Sequence, residues 1–273
     1  MFQRPRIFGI VNITPDSFSD GGKYFASDDA IAHARKLVSD GADVIDLGPA
    51  SSNPDAMPVP PSEEIRRLAP VIEALAGDGI PLSVDSFHTE TQAYALSQGV
   101  TYLNDIRGFA EESFYPVLAA SDAGLVLMHS IQREGNADRR AAPDGDILDH
   151  IGRFFETRLS ALEKAGIARS RVVLDPGMGF FLGPTPEPSF EVLARLGELK
   201  GRFGLPVFVS VSRKSFLRSV TGRAPGEAGA ATLAAELMAA LRGADFIRTH
   251  EPGPLADALS VAARVETAQS GRH

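Results

Sequence analysis

The sequence of 273 residues contains no cysteine, which excludes disulfide bonds, thiolate zinc sites and cysteine nucleophiles. It has no apolar run of about 18 residues, so we expect no transmembrane helix. The apolar stretch near its start is interrupted by Asn12 and Asp16 and is too short for a secretory signal peptide. Basic residues are few, 27 against 35 acidic ones, and the net charge of −8 argues against nucleic-acid binding. We therefore expect a cytoplasmic enzyme that binds neither membranes nor nucleic acid.

The sequence does contain a regular alternation of short apolar runs and longer helical patterns. Near-continuous apolarity over a short run is typical of a parallel strand that is buried on both faces. We predict eight strands, at Ile7–Ile13, Val44–Leu47, Leu82–Val84, Tyr102–Leu103, Leu125–Met128, Val172–Leu174, Val207–Val211 and Phe246–Arg248. We predict helices near residues 28–39, 62–76, 89–97, 112–122, 146–165, 187–202, 227–241 and 255–267.

This alternation predicts the α/β class, and more narrowly a (β/α)8 TIM barrel in a single domain over residues 1–273. A length of roughly 150 residues per domain would suggest two domains, but α/β barrels of about 250 residues fold as one. A doubly wound open sheet is the alternative. It is disfavoured because no GxGxxG motif follows the first predicted strand.

Polar residues follow the predicted strands at the end where active-site residues of such a barrel collect. They include Asn12, Asp46, Asp85, Asn104, His129, Asp175, Lys214, Arg248 and His250. A single Asp after a strand is commonly a turn residue or a helix cap. Here many polar residues meet at one barrel mouth. Buried polar groups without partners cost free energy, so we expect a ligand in one shared pocket to satisfy them.

The residue types indicate what this pocket binds. Three of the side chains are rich in hydrogen-bond acceptors, which suit the N–H edge of a planar heterocycle. They are Asp85, Asn104 and Asp175. Three others can carry positive charge, which suits a phosphate. They are Lys214, Arg248 and His250. The rings of Phe180 and Phe181 offer stacking surface. We therefore expect a flat polar heterocycle that carries a phosphate. In the alternative, Lys214 and Arg248 only form salt bridges to Asp46, Asp85 or Asp175.

Seven motifs together resemble the dihydropteroate synthase family, in that family's order, from Phe8 to about Pro252. They are GIVNITPDSFSDGG (9–22), VDSF (84–87), NDI (104–106), LMHS (127–130), DPGMGF (175–180), SRKSF (212–216) and FIRTHEP (246–252). The resemblance implies a transferase of folate biosynthesis. Such an enzyme joins 7,8-dihydropterin-6-ylmethyl diphosphate to 4-aminobenzoate and releases pyrophosphate and 7,8-dihydropteroate.

The resemblance also implies roles for single residues. Pterin contacts are expected from Asp85, Asn104, Met128, Asp175, Lys214 and Arg248. The catalytic residues among them are Asp85, Asp175 and Lys214. Contacts to the diphosphate are expected from Asn12, Arg248 and His250, and Asn12 also meets Mg²⁺, the expected cofactor. Aminobenzoate contacts are expected from Ser51, Ser52, Pro54, Phe180, Phe181 and Ser215. The loop Thr14–Gly22 is expected to close over the substrates with Asp16, Ser17 and Phe18, a plain surface loop being the alternative.

Two departures from the family pattern resemble its sulfonamide-insensitive branch, which mobile resistance elements carry. Family members usually have a Ser-Thr-Arg-Pro-Gly run where this chain has Ser51–Asp55, so the cation expected at Asn53 is missing. The stretch Gly179–Gly183 is also longer than usual. In that branch an added phenylalanine beside aminobenzoate excludes sulfonamides, which implies Phe181, or Phe180 in a shifted alignment. In the alternative, Phe181 packs inward against the sixth helix and Ser51–Asp55 provides the discrimination.

Two other functions fit parts of the pattern. A pterin-binding methyltransferase domain that serves a corrinoid protein shares the Asp and Asn pocket pattern, but it is not expected to carry the DSFSDGG and SRKS segments. A non-catalytic pterin-binding homologue is suggested only by the missing cation at Asn53. Retention of Asn12, Lys214, Arg248 and His250 argues against it. The family further implies a homodimer built through the late barrel helices.

Overall fold

In the computed structural model, which describes residues 3–14, 23–51, 57–131 and 144–270, eight parallel strands form one sheet. They are β1 (Arg6–Asn12), β2 (Val44–Gly48), β3 (Leu82–Asp85), β4 (Tyr102–Asp105), β5 (Gly124–Met128), β6 (Val172–Asp175), β7 (Phe208–Val209) and β8 (Phe246–Thr249). Their order in the sheet is β6-β5-β4-β3-β2-β1-β8-β7. A parallel bridge between Leu174 and Val207 joins the two edges, so the sheet closes. The predicted (β/α)8 barrel is confirmed, and the open-sheet alternative is wrong.

Helices follow the strands around the outside of the barrel. Within the described ranges they are α1 (Lys23–Ser39), α2 (Pro61–Gly77), α3 (Thr89–Ser97), α4 (Tyr115–Ala119), α5 (Ile147–Lys164), α6 (Glu187–Ala194), α7 (Leu196–Phe203), α8 (Ser215–Thr221), α9 (Gly229–Leu241) and α10 (Pro252–Ser270). In these ranges no helix combines the length and apolar content needed to cross a bilayer.

Several elements of the structure differ from the prediction. The strand predicted at Val207–Val211 is only two residues long as β7. The helix predicted at 187–202 is two helices, because Arg195 between them leaves the helical conformation at φ −108° and ψ 18°. Helix α8 was not predicted, since its seven residues are too few to show a helical period.

Aromatic and β-branched side chains fill the amino-terminal half of the barrel interior. Phe8 on β1 meets the rings of Tyr102, Phe208 and Phe246 edge-on, with ring centres 5.1 to 5.6 Å apart. Phe8 and Phe208 are fully buried. This packing closes the barrel floor, so any ligand site in the interior must lie toward the carboxyl ends of the strands.

One buried carboxyl group behind β8 makes the stability depend on pH. Burial raises the pKa of Glu236 on α9 to about 8, and its Oε1 has no hydrogen-bond partner among the described residues. Because this pKa lies above the unfolded value, the folded state holds the proton more tightly and loses stability as the pH rises from about 4.5 to 8. We expect Glu236→Gln to raise the free energy of unfolding at pH 8 by about 4 kcal/mol, and at pH 4.5 by little.

Urea unfolding of parent and variant at both pH values measures this difference. The exposed Glu112→Gln is the matched control and should change neither value. An equal effect of Glu236→Gln at both pH values would contradict the assignment of the pH dependence to this group.

Candidate active site

The candidate site residues face the barrel interior because of their position in the strands. Successive side chains of a strand point to opposite faces, so residues two apart share a face. On β8, Arg248 follows the floor residue Phe246 by two positions, and on β6 Asp175 follows Val173 by two. The same spacing places Asp46 on β2, Asn104 on β4 and Met128 on β5, and on β1 Asn12 lies two such steps after Phe8. The strand period thus brings the polar residues together directly above the aromatic floor.

A cavity of about 400 Å³ opens at the carboxyl ends of the strands. Sequence-predicted site residues that line it are Asn12, Ser51, Asp85, Phe180, Phe181, Lys214, Ser215, Arg248 and His250. The other predicted residues among those described, Asn104, Met128 and Asp175, are buried near the ends of β4, β5 and β6. Polar lining residues that were not assigned a role from the sequence are Ser210, Ser212, Arg213 and Arg218.

Arg248 joins two carboxylates across the barrel. Its Nε donates to Oδ2 of Asp46 at 2.5 Å, and its Nη2 donates to Oδ2 of Asp85 at 2.8 Å. Burial raises the pKa of Asp85 to about 7 although Arg248 opposes the rise, and the charge of Asp46 adds to it. The salt bridges offered as an alternative for Arg248 are therefore present, and the same side chain also lines the cavity.

Lys214 reaches into the pocket from the residue before α8. Its Nζ donates to the carbonyl oxygen of Met178 at 3.2 Å and lies 4.9 Å from the ring centre of Phe181. Burial lowers the pKa of Lys214 to about 8, although Asp175 draws it upward. An ammonium group has three donors. With one given to a carbonyl, Lys214 can still donate to a ligand acceptor.

The carboxylate of Asp175 is oriented by a glycine turn. The N–H of Gly177 donates to its Oδ1 at 2.8 Å, while the carbonyl of the same peptide, on Pro176, lies 3.1 Å from Nδ1 of His129. Gly177 has a φ of +74°, and a Cβ there would lie 2.4 Å from the carbonyl oxygen of His129. His129, part of the LMHS motif, thus holds the peptide that faces Asp175. Burial raises the pKa of Asp175 to about 6.

Two buried oxygens of the site have no hydrogen-bond partner in the part of the chain that the structure describes. They are Oδ1 of Asn104 and Oδ1 of Asp46. A buried acceptor without a partner costs about 1–3 kcal/mol. A ligand that brings N–H groups to this end of the barrel would recover that cost.

A one-turn 3-10 helix, Gly179–Phe181, forms one wall of the cavity. Gly179 has a φ of +67°, and a Cβ there would lie only 3.3 Å from Cδ of Lys214. Phe181 is 6% exposed and packs with Ile106 and Met128, whereas Phe180 is half-buried. Both rings line the cavity. Phe181 therefore packs inward and also shapes the pocket wall.

His250 differs from the cation expected from the sequence. Burial, together with the positive charges of Arg213 and Arg248, lowers its pKa to about 3, so the ring is neutral at pH 7. Its Nδ1 lies 2.8 Å from Oγ of Ser212. His250 can therefore hydrogen-bond a ligand, but Lys214 and the arginines carry the positive charge.

Some predicted site residues lie outside the described residues. They are Asp16, Ser17 and Phe18 of the expected lid, and Ser52, Asn53 and Pro54 of the second loop. Ser51, at the border of that loop, lines the cavity.

Comparison with known proteins agrees with this geometry. The family model described as "Pterin binding enzyme" matches residues 8–250. The chain is 69% identical over 264 residues to the dihydropteroate synthase type-2 of Escherichia coli, which covers 96% of this chain and 97% of that protein. The chain belongs to the dihydropteroate synthase family. It is therefore an enzyme, a transferase of folate biosynthesis, and the methyltransferase alternative is wrong.

Solved dihydropteroate synthases share the barrel. The enzyme from Xanthomonas albilineans with 4-aminobenzoic acid is 38% identical, with a TM-score of 0.89 over 96% of this chain and 93% of that one. The enzyme from the same organism in complex with 7,8-dihydropteroate is 37% identical, with a TM-score of 0.85 over 96% and 94% of the two chains.

Proposed function

We propose that this dihydropteroate synthase joins 7,8-dihydropterin-6-ylmethyl diphosphate to 4-aminobenzoate at the barrel mouth and that it is insensitive to sulfonamides. The observation that carries the reaction is a set of three acceptors, the buried Asn104 and Asp175 and the partly exposed Asp85, beside Lys214 and Arg248. The acceptors suit the N–H groups of a pterin. The cations suit its carbonyl oxygen and its diphosphate.

In the proposed reaction the bond between the pterin methylene carbon and the diphosphate oxygen breaks, and the oxygen keeps the electron pair. The amine nitrogen of 4-aminobenzoate then bonds to that carbon and loses a proton to solvent. Ionised Asp85 and Asp175 stabilise the positive charge that develops on the pterin. Asn104 and Lys214 hold the ring in place, and Arg248, His250 and Asn12 bind the diphosphate. The reaction requires no covalent bond to the enzyme.

Mg²⁺ is the proposed cofactor, and the residues present fit one that arrives with the diphosphate. The described residues form no cluster of three or more His, Cys, Asp or Glu side chains that could hold a metal. Asn12 instead lines the cavity and can offer one amide oxygen. This oxygen lies against Gly48, where a Cβ on residue 48 would approach it to 3.2 Å. Mg²⁺ commonly uses one or two protein oxygens together with substrate phosphates and water. When bound, it would neutralise charge on the leaving diphosphate.

The proposed insensitivity to sulfonamides rests on the Gly179–Phe181 turn. The rings of Phe180 and Phe181 stand in the cavity wall beside Lys214 and Ser215. A sulfonamide is tetrahedral and carries a substituent where 4-aminobenzoate has a flat carboxylate. A bulky ring at that end can exclude the larger group by overlap while it admits the smaller one. A role in sulfonamide resistance would follow.

We also propose a homodimer of two single-domain barrels, each over residues 1–273, in the cytoplasm. Neighbouring helices α9 and α10 expose Met238, Leu241, Val261 and Val265. These apolar side chains are candidates for a dimer face. Val261→Glu should convert a dimer to a monomer in sedimentation, and a monomeric parent would contradict the proposal.

A steady-state assay tests the proposed reaction. The purified chain should release pyrophosphate and form 7,8-dihydropteroate in equal amounts, only when both substrates are present, and EDTA should stop turnover. Added Mg²⁺ should restore it. Pterin binding without release of pyrophosphate would instead support the non-catalytic homologue.

The pH dependence follows from the shifted groups. The pKa values of Asp175 and Asp85 are raised by burial to about 6 and about 7, and that of Lys214 is lowered by burial to about 8. Because the ionised carboxylates and the ammonium are the active forms, kcat/KM should rise between pH 6 and 7 and decline above pH 8. A profile from pH 5 to 9.5 measures both limbs. Lys214→Arg should shift only the decline of kcat/KM above pH 8, and should shift it to higher pH, because arginine keeps its proton there. A flat profile would contradict these roles.

A further inference from the structure

The first turn of α8 presents two polar side chains to the cavity. Ser215 and Arg218 are three residues apart, so they lie on one face of the helix, and both line the cavity. Phe216 and Leu217 between them are buried on the core side. The two lining residues are offset by roughly 4.5 Å along the helix axis. Arg218 therefore lies one helical turn farther along the wall than Ser215.

Arg218 differs in its contacts from the other arginines of the cavity. Arg248 pairs with Asp46 and Asp85, and Arg213 lies 3.6 Å from the carboxylate of Glu251. Arg218 forms no ion pair with the residues that the structure describes, and its buried Nε has no hydrogen-bond partner among them. A buried donor on a charged group without an acceptor is costly, and an anion in the cavity would satisfy it.

The geometry of the wall fits one anion in particular. In the proposed reaction Asp85, Asn104 and Asp175 hold the pterin above the barrel floor, and Lys214, next to Ser215 in the chain, is close enough to Asp175 for that carboxylate to raise its pKa. A second substrate attached at its amine end would extend outward along α8, past Phe181 and Ser215. Its far end is a carboxylate. We infer that Arg218 binds the carboxylate of 4-aminobenzoate and thereby sets the preference of this enzyme for an anionic amine substrate. The inference rests on the proposed function and adds a specificity-determining residue to it.

The test compares a charged and a neutral amine substrate. Steady-state kinetics of the parent, Arg218→Met and Arg218→Lys are measured with 4-aminobenzoate and with its neutral analogue 4-aminobenzamide. We expect Arg218→Met to raise the KM for 4-aminobenzoate about ten- to a hundredfold, the loss typical of one charge-assisted hydrogen bond. The KM for 4-aminobenzamide and for the pterin diphosphate should change less than about twofold. Arg218→Lys should recover part of the loss. Arg223→Met, at an exposed arginine two residues after α8, removes the same charge and should change none of these values.

Each other outcome contradicts the inference. An equal loss for both amine substrates would assign Arg218 a purely structural role. A raised KM for the pterin diphosphate would place the diphosphate, not the carboxylate, at Arg218. An active parent whose preference is unchanged in Arg218→Met would overturn this inference alone, whereas a parent that forms no dihydropteroate would overturn the proposed function with it.

Discussion

Replacement of Asp175 by Ala should weaken pterin binding about a hundredfold or more. The carboxylate is buried, oriented by the Gly177 N–H at 2.8 Å, and close enough to raise the pKa of Lys214. The substitution would remove two or more hydrogen bonds to buried ligand donors, worth roughly 1–3 kcal/mol each. Titration calorimetry with a 7,8-dihydropterin measures the loss.

Two controls separate binding from folding. Asp175→Asn keeps the shape and an acceptor for Gly177, but it removes the charge, so it should bind a pterin more weakly than the parent and fold normally. The exposed Asp122→Ala should alter neither affinity nor Tm. Unchanged pterin affinity in Asp175→Ala would show that the pterin does not bind at this carboxylate.

Replacement of Phe181 by Gly should make the enzyme about a hundredfold more sensitive to sulfonamides. The ring packs with Ile106 and Met128 and faces the cavity beside Lys214, so its removal opens the wall that the larger inhibitor would overlap. Relief of about 3 kcal/mol of overlap corresponds to roughly a hundredfold in relative affinity. The KM for 4-aminobenzoate should change only a few fold. The measurement is inhibition by a sulfonamide against 4-aminobenzoate.

The loss of a buried ring also costs stability, on the order of 3–5 kcal/mol for Phe to a small residue. Phe181→Leu, which keeps most of the packing, is therefore measured beside it and should show an intermediate gain in sensitivity. Phe180→Gly is the matched neighbour, because its half-buried ring lines the same cavity. If the Phe181 variants stay active and as resistant as the parent, discrimination must arise elsewhere, with Ser51–Asp55 the next candidate.

The barrel and most of its polar mouth could be predicted from the sequence because both depend on local patterns. Each apolar run ends where the strand leaves the core, so Asp85, Asn104 and Asp175 are marked by the residues before them. The period of two within each strand then places them on the interior face. Gly41 and Gly99 follow α1 and α3 with φ values of +105° and +74°, a conformation that favours glycine at helix ends.

Other features depend on contacts that no local pattern reveals. Arg218 follows two apolar residues in a short helix and has no strand end to mark it. The neutral state of His250 results from its burial beside Arg248 and beside Arg213, which is distant in sequence, and the sequence does not show that burial. The role of His129 depends on the peptide of Pro176, 47 residues away. The LMHS motif includes His129, but the contact of its ring with the Pro176 carbonyl group is seen only in the folded structure.

A crystal structure with 7,8-dihydropteroate tests the central claim most directly. The pterin ring should lie on the barrel floor, with its N–H groups on Asp85, Asn104 and Asp175 and its carbonyl oxygen near Lys214. The aminobenzoyl ring should pass Phe181 toward Ser215 and Arg218. A pterin bound away from the three acceptors, or an aminobenzoyl ring that leaves the cavity on the side opposite α8, would contradict it.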